Sequence, residues 1–124
     1  MTIKKIATEY QECEAFFDWI SHNPRLAKVS WHIANERNAN VVEIMRLNKI
    51  GMKKGALDYV IFIANKKYHG LVIEMKISDK KKARVTTEQF ANIENLKTEN
   101  YYSCVCYGCD EAIEIVNKYL KNEL

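Results

Sequence analysis

Two short apolar runs decide most of what this chain can fold into. Leu57 to Ala64 reads LDYVIFIA, and Leu71 to Ile77 reads LVIEMKI. Each is apolar on both faces rather than alternating, the pattern of a strand covered on both sides. Asn65 to Gly70, lying between them, reads as a turn, so the two runs predict an antiparallel hairpin. The polar exceptions are Asp58 in the first run and Glu74 and Lys76 in the second. Charges in such a setting must be paired or hold a metal, because isolated burial costs several kcal/mol or more.

The hairpin also predicts a register. If it closes on the three-residue loop Asn65-Lys66-Lys67, then Ala64 faces Tyr68, Phe62 faces Gly70, Val60 faces Val72, and Asp58 faces Glu74. Opposed Cβ atoms lie about 5 Å apart. Lys76 points to the same side as Glu74, two residues away. Two acids so close should share a proton or hold a divalent cation. A slip of one residue would send Asp58 to the other face. A plain buried ion pair with Lys76 is the simpler alternative, but it leaves a second acid without a counter-charge.

The remaining pattern supplies covering layers. Residues 3–20 predict an amphipathic helix with Ile3, Ile6, Tyr10, Cys13, Phe17 and Ile20 on one stripe. Glu9 falls at the border of that stripe, about 60° from its centre, with Glu12 about twice as far and Glu14 on the opposite flank. Pro24 predicts a break, Val29 to Ala34 a strand, residues 35–40 a polar loop, and Val41 to Leu47 a short helix or irregular segment. Gly51 to Gly55 is a basic turn. Thr86 caps a helix with Gln89 at its third position; Gln89, Ile93 and Leu96 share a face. Tyr101 to Tyr107 predicts a strand, and Asp110 the cap of a last helix carrying Ala112, Ile113, Val116, Tyr119 and Leu120. The expected architecture is one α/β domain over residues 1–124, a sheet with helices on both faces.

Charge is uneven along this chain of 124 residues. Its net +3 hides a central block, residues 49–84, with ten basic and three acidic side chains, followed by an acidic C-terminal third. Such a block suggests a polyanionic partner. Lys53, Lys54, Lys80, Lys81, Lys82 and Arg84 flank the buried acids in sequence and suit phosphate-backbone contacts. Tyr101, Tyr102 and Tyr107 could stack on bases but are more simply strand residues. No apolar run approaches the ~20 residues that cross a bilayer. The start of the chain does not read as a signal peptide. The four cysteines, at 13, 104, 106 and 109, lack the spacing of a zinc site and are expected as free thiols in a reducing cytoplasm.

Asp58 followed by Glu74-x-Lys76 resembles the PD-(D/E)xK nuclease motif. The wider string resembles the VRR-NUC (virus-type replication-repair nuclease) domain. It runs Gly51-x-x-x-Gly55-x-x-Asp58, His69-Gly70-Leu71-x-Ile73-Glu74-x-Lys76, then Gln89 at a helix start. Thr8-Glu9 through Trp19 and His32 to Glu36 extend the resemblance over about residues 8–120. Leu57 stands where the motif name has proline.

The resemblance implies a restriction-endonuclease-like α/β/α core with a central mixed sheet of about four strands. It implies a metal-dependent DNA endonuclease, a homodimer acting on branched DNA such as four-way junctions, in the cytoplasm of a bacterial or phage-infected cell. Asp58 and Glu74 would ligate Mg²⁺ or Mn²⁺ with the Met75 carbonyl, and Glu9, or failing that Glu12, would be the helix acid. Lys76 would orient the attacking water, Gln89 would help position it, and Asn35 would join the lysines in contacting DNA. His32 and His69 are expected as structural or substrate-side residues. The competing readings are a DNA-binding module that kept the fold without turnover, and a nuclease that needs a partner subunit.

Overall fold

The structure, a computed structural model, describes residues 5–34 and 40–124. Its elements in chain order are α1 (Glu9–Ser21), α2 (Pro24–Val29), β1 (Ser30–His32), α3 (Val41–Lys49), β2 (Tyr59–Ile61), β3 (Leu71–Lys76), α4 (Thr87–Thr98), β4 (Tyr102–Tyr107) and α5 (Cys109–Leu120). The four strands form one mixed sheet in the order β1-β2-β3-β4. The first three run antiparallel and β4 lies parallel to β3, with α4 as the crossover.

All six residues of β3 are buried, the charged Glu74 and Lys76 included. Leu71, Ile73 and Met75 pack with Phe16 and Ile20 of α1 and Ala112, Val116 and Tyr119 of α5. Val72, on the opposite face, packs with Leu57 and Ile93 of α4. The sheet is therefore covered on both faces, the layered arrangement that the sequence pattern predicts. Tyr119, fully buried, donates its hydroxyl proton to the Ile63 carbonyl at 2.7 Å.

The hairpin has the expected register: Val60 faces Val72 and Tyr59 faces Ile73. The ladder is shorter than the apolar run, because beyond Ile61 the chain turns to other partners. Phe62 N–H donates to the Val29 carbonyl, and Tyr102 N–H takes the Gly70 carbonyl. The turn is closed by Asn65, whose Oδ1 accepts from the Lys67 and Tyr68 amides.

Three local expectations are corrected. The first helix starts at Glu9 rather than residue 3, because Thr8 and Gln11 form a reciprocal capping box there. Its buried stripe runs through Phe16 and Ile20, while Tyr10 and Phe17 are exposed. The break expected at Pro24 is present, and the chain then starts a short helix with Asn23 capping it and proline at its first position. The last helix begins at Cys109, so Asp110 sits inside its first turn instead of capping it. The helix from Val41 is real, capped by Asn40, but buries none of its residues. Ile3, Asn35 and most of the polar loop lie outside the described residues.

Candidate metal centre

The chemistry-bearing residues gather at one end of the sheet, where β2 begins and β3 ends. Asp58 immediately precedes β2, and Glu74 and Lys76 are in the last three residues of β3. The ladder register puts Asp58 and Glu74 opposite one another, so strand pairing itself brings the acids together. Asp58 Oδ2 accepts from Met75 N–H at 2.7 Å. That side chain thereby extends the ladder by one bond and is fixed by the neighbouring backbone. A strand residue sends its N–H and C=O to the same edge, so the Met75 carbonyl also faces the Asp58 side.

Glu9, in the first turn of α1, completes the group. Ligand atoms of Glu9, Asp58 and Glu74 lie within 4.8 Å of one another, Glu9 half-buried and the other two buried. Glu74 is 1% exposed, and among the described residues neither of its oxygens has a hydrogen-bond partner. The nearest cation is Lys76 Nζ, 3.7 Å from Glu74 Oε2, itself buried. Burial first, then Asp58, pushes the Glu74 carboxyl up to about 9, against the pull of Lys76. Protonated, Glu74 could donate to Asp58; ionised, it has Lys76 as its one ion-pair partner among the described residues, against two neighbouring acids. The donor set is all oxygen and the buried carboxylate is unsatisfied, so these residues fit a hard divalent ion.

The surroundings reinforce this character. Burial, followed by Asp58, pushes the Cys13 thiol up to about 11, so it stays protonated beside the acids. Tyr59 donates its hydroxyl proton to the Cys13 carbonyl at 3.3 Å, tying α1 to β2. Gln89 is half-buried at the start of α4, its Oε1 accepting from Thr86 N–H at 3.0 Å. That capping bond leaves the amide donors of Gln89 for other partners.

The basic residues divide into two sets. Lys54 is paired with Glu88 at 3.4 Å, and the Glu88 carboxyl is held below its usual range by a backbone N–H first and by Lys54 next. Lys80 sits over the Tyr107 ring, 5.1 Å from its centroid. Lys53, Lys81, Lys82 and Arg84 are exposed, the last three on the segment that leaves β3. Asn35 lies outside the described residues. The His32 ring lies tilted beside Tyr59 and the His69 ring meets Tyr101 edge-on, and neither joins the acidic group.

Two contacts of this end are not legible as motifs. Gly55 adopts φ +77 and touches the first turn of α4, where an added Cβ would come 2.6 Å from Glu88 Cβ. Asn92 donates to the Lys54 carbonyl at 3.2 Å. The basic turn is thus clamped onto the helix that carries Gln89. The glycine spacing was the only sequence signal for it.

Comparison with family models gives no match, and comparison with curated proteins gives none. Among solved structures the fold is similar to a "VRR_NUC domain protein", with a TM-score of 0.83 and 28% sequence identity. The match covers 95% of this chain and 92% of that one. Among the described residues, no helix is long and apolar enough to cross a membrane.

Proposed function

We propose that this chain is a metal-dependent DNA endonuclease of the VRR-NUC type, its length forming one nuclease domain. The observation that carries the reading is the convergence of Glu9, Asp58 and Glu74 within 4.8 Å around a buried carboxylate that has no hydrogen-bond partner among the described residues. The likeness to a VRR_NUC domain protein over nearly the whole chain supports it.

Asp58, Glu74, the Met75 carbonyl and Glu9 would hold Mg²⁺ or Mn²⁺. A bound divalent ion supplies an acidified water and positive charge for the phosphate oxygens of the transition state. Asp58 is held in place by its bond from Met75 N–H, so its position costs no reorganisation on binding. Lys76 brings a buried ammonium beside Glu74, where it orients the attacking water and offsets charge at the scissile phosphate. Gln89 turns its remaining amide donors to the water or the phosphate. Lys53, Lys80, Lys81, Lys82 and Arg84 grip the phosphate backbone without reading bases, and Lys54 joins them only by leaving Glu88.

Branched DNA as substrate and a homodimer as the working form are the finer part of the proposal. Two symmetric sites would address two strands. The exposed apolar side chains accord with a partner surface: Trp31 and Phe62 meet edge-on at 5.0 Å, and Val41, Val42, Met45 and Ile50 crowd α3.

The test is cleavage of labelled four-way, flapped and linear DNA with Mg²⁺ or Mn²⁺, alongside sedimentation of the free protein. Metal-dependent cutting that prefers the branched substrate is expected. Cutting that survives Asp58→Ala or Glu74→Ala would sink the site.

A further inference from the structure

Glu12 looks out of place as an acid one turn from Glu9. It does not belong to the group within 4.8 Å, which comprises Glu9, Asp58 and Glu74. Its carboxylate instead lies on the N-terminus of α5. Glu12 Oε1 accepts from Cys109 N–H at 3.4 Å. Glu12 Oε2 lies over Gly108, where an added Cβ would come within 2.8 Å of it. Gly108, the cap residue of α5, has φ +96 and provides no side-chain bond of its own. A carboxylate from another helix therefore stands in for the missing cap, where unpaired N–H groups and the helix dipole favour negative charge.

The connection continues into the candidate metal centre. Gly108 N–H donates to the Lys76 carbonyl at 2.9 Å, so the start of α5 is tied to the end of β3. Glu12 and Glu9 share the first turns of α1, three residues apart and on neighbouring faces. The path runs from the Lys76 backbone through Gly108 and Cys109 to Glu12, and one turn back to Glu9. Glu9 is the one member of the acidic group that comes from outside the hairpin. Strand pairing does not place it: Phe16, Ile20 and the Tyr59–Cys13 bond seat α1 from its second turn onward, and Glu12 adds a contact from its first turn.

We infer that Glu12 is a positioning residue: by capping α5 across the helix pair it sets Glu9 against Asp58 and Glu74 and so sets metal affinity. The inference rests on the nuclease reading for its metal. It also separates Glu12 from the role of a direct ligand, because the two roles ask different things of the side chain. A cap needs reach and an acceptor oxygen above all, its charge adding only about 0.3–1 kcal/mol. A ligand to a hard divalent ion needs the negative charge.

The experiment compares wild type with Glu12→Gln and Glu12→Asp, each checked for folding by circular dichroism and thermal melting. Mn²⁺ affinity is measured by isothermal titration in the absence of DNA. Glu12→Gln keeps reach and acceptor, and is expected to bind Mn²⁺ within about threefold of wild type. Glu12→Asp keeps charge but falls short of Cys109, and is expected to lose about tenfold or more, the usual scale for residues that orient metal ligands. The opposite ranking, with Asp binding as well as wild type and Gln failing, would make Glu12 a ligand and overturn the inference. Lower melting temperatures with unchanged Mn²⁺ affinity in both variants would leave only a structural cap, and overturn it too. Failure of wild type to bind Mn²⁺ would instead remove the metal reading itself, and the inference with it.

Discussion

Replacing Glu74 by glutamine should make the metal-free protein more stable at neutral pH while abolishing its metal site. Glu74 is 1% exposed, and burial beside Asp58 raises its carboxyl from 4.5 to about 9. Below about pH 4.5 the folded and unfolded chains both carry that proton, and no penalty exists. As pH rises, the unfolded chain releases the proton while the folded one retains it, so stability falls until Glu74 ionises near 9. At about pH 7.5 three units of mismatch correspond to a penalty of about 4 kcal/mol. Glutamine removes the titration but buries an amide, at a cost of about 1–3 kcal/mol if it finds no partner. The expected balance is a gain of roughly 2 kcal/mol near pH 7.5, turning into a loss of similar size near pH 4. Urea unfolding in a chelator, followed by far-ultraviolet circular dichroism across that range, reads both limbs. A pH-independent difference between variant and wild type would refute the reasoning. So would a variant that is less stable at both ends.

Three further outcomes follow from the same geometry. Because metal binding must displace the Glu74 proton, wild-type Mn²⁺ affinity measured by calorimetry should tighten by about tenfold per pH unit between about pH 6 and 8, and Glu74→Gln should show no binding across that range. Asp58→Asn keeps an acceptor for the Met75 amide and should melt close to wild type without cleaving DNA, whereas Asp58→Ala strands that amide and should lose a further 1–3 kcal/mol or so in urea unfolding. Gly55→Ala puts a Cβ 2.6 Å from Glu88 Cβ at a positive φ, so it should cost about 1–3 kcal/mol and lower kcat more than DNA affinity, read by steady-state cleavage and fluorescence anisotropy.

The hairpin was the most legible part of the chain, because period, turn composition and register all bear on a few adjacent residues. Asp58 opposite Glu74 followed from one loop length, and the observed pairing of Val60 with Val72 agrees with it. The capping box at Thr86 was legible for the same local reason. The first helix was harder. Its capping box at Thr8 and Gln11 was written in the sequence, yet the apolar residues upstream extended the helical period past it. Placing Phe17 rather than Phe16 inward follows from the same stretched wheel, since the apolar residues upstream of Glu9 pull the centre of the stripe toward Phe17. The short helix after Asn23-Pro24 was masked by reading proline as a breaker when it stood at the first helical position. The contacts of Glu12 with Cys109 and of Gly55 with α4 join residues far apart in the chain, and no local pattern announces them.

The bond from Met75 N–H to Asp58 joins two events that are separate in many proteins, closing a sheet and assembling a site. Exchange of that one amide with solvent requires Asp58 to let go, so its protection factor reports the free energy of opening the acid group. A chain mispaired by one residue would lose the bond and the acid pair together. Misfolded molecules of this protein would accordingly be silent rather than partly active.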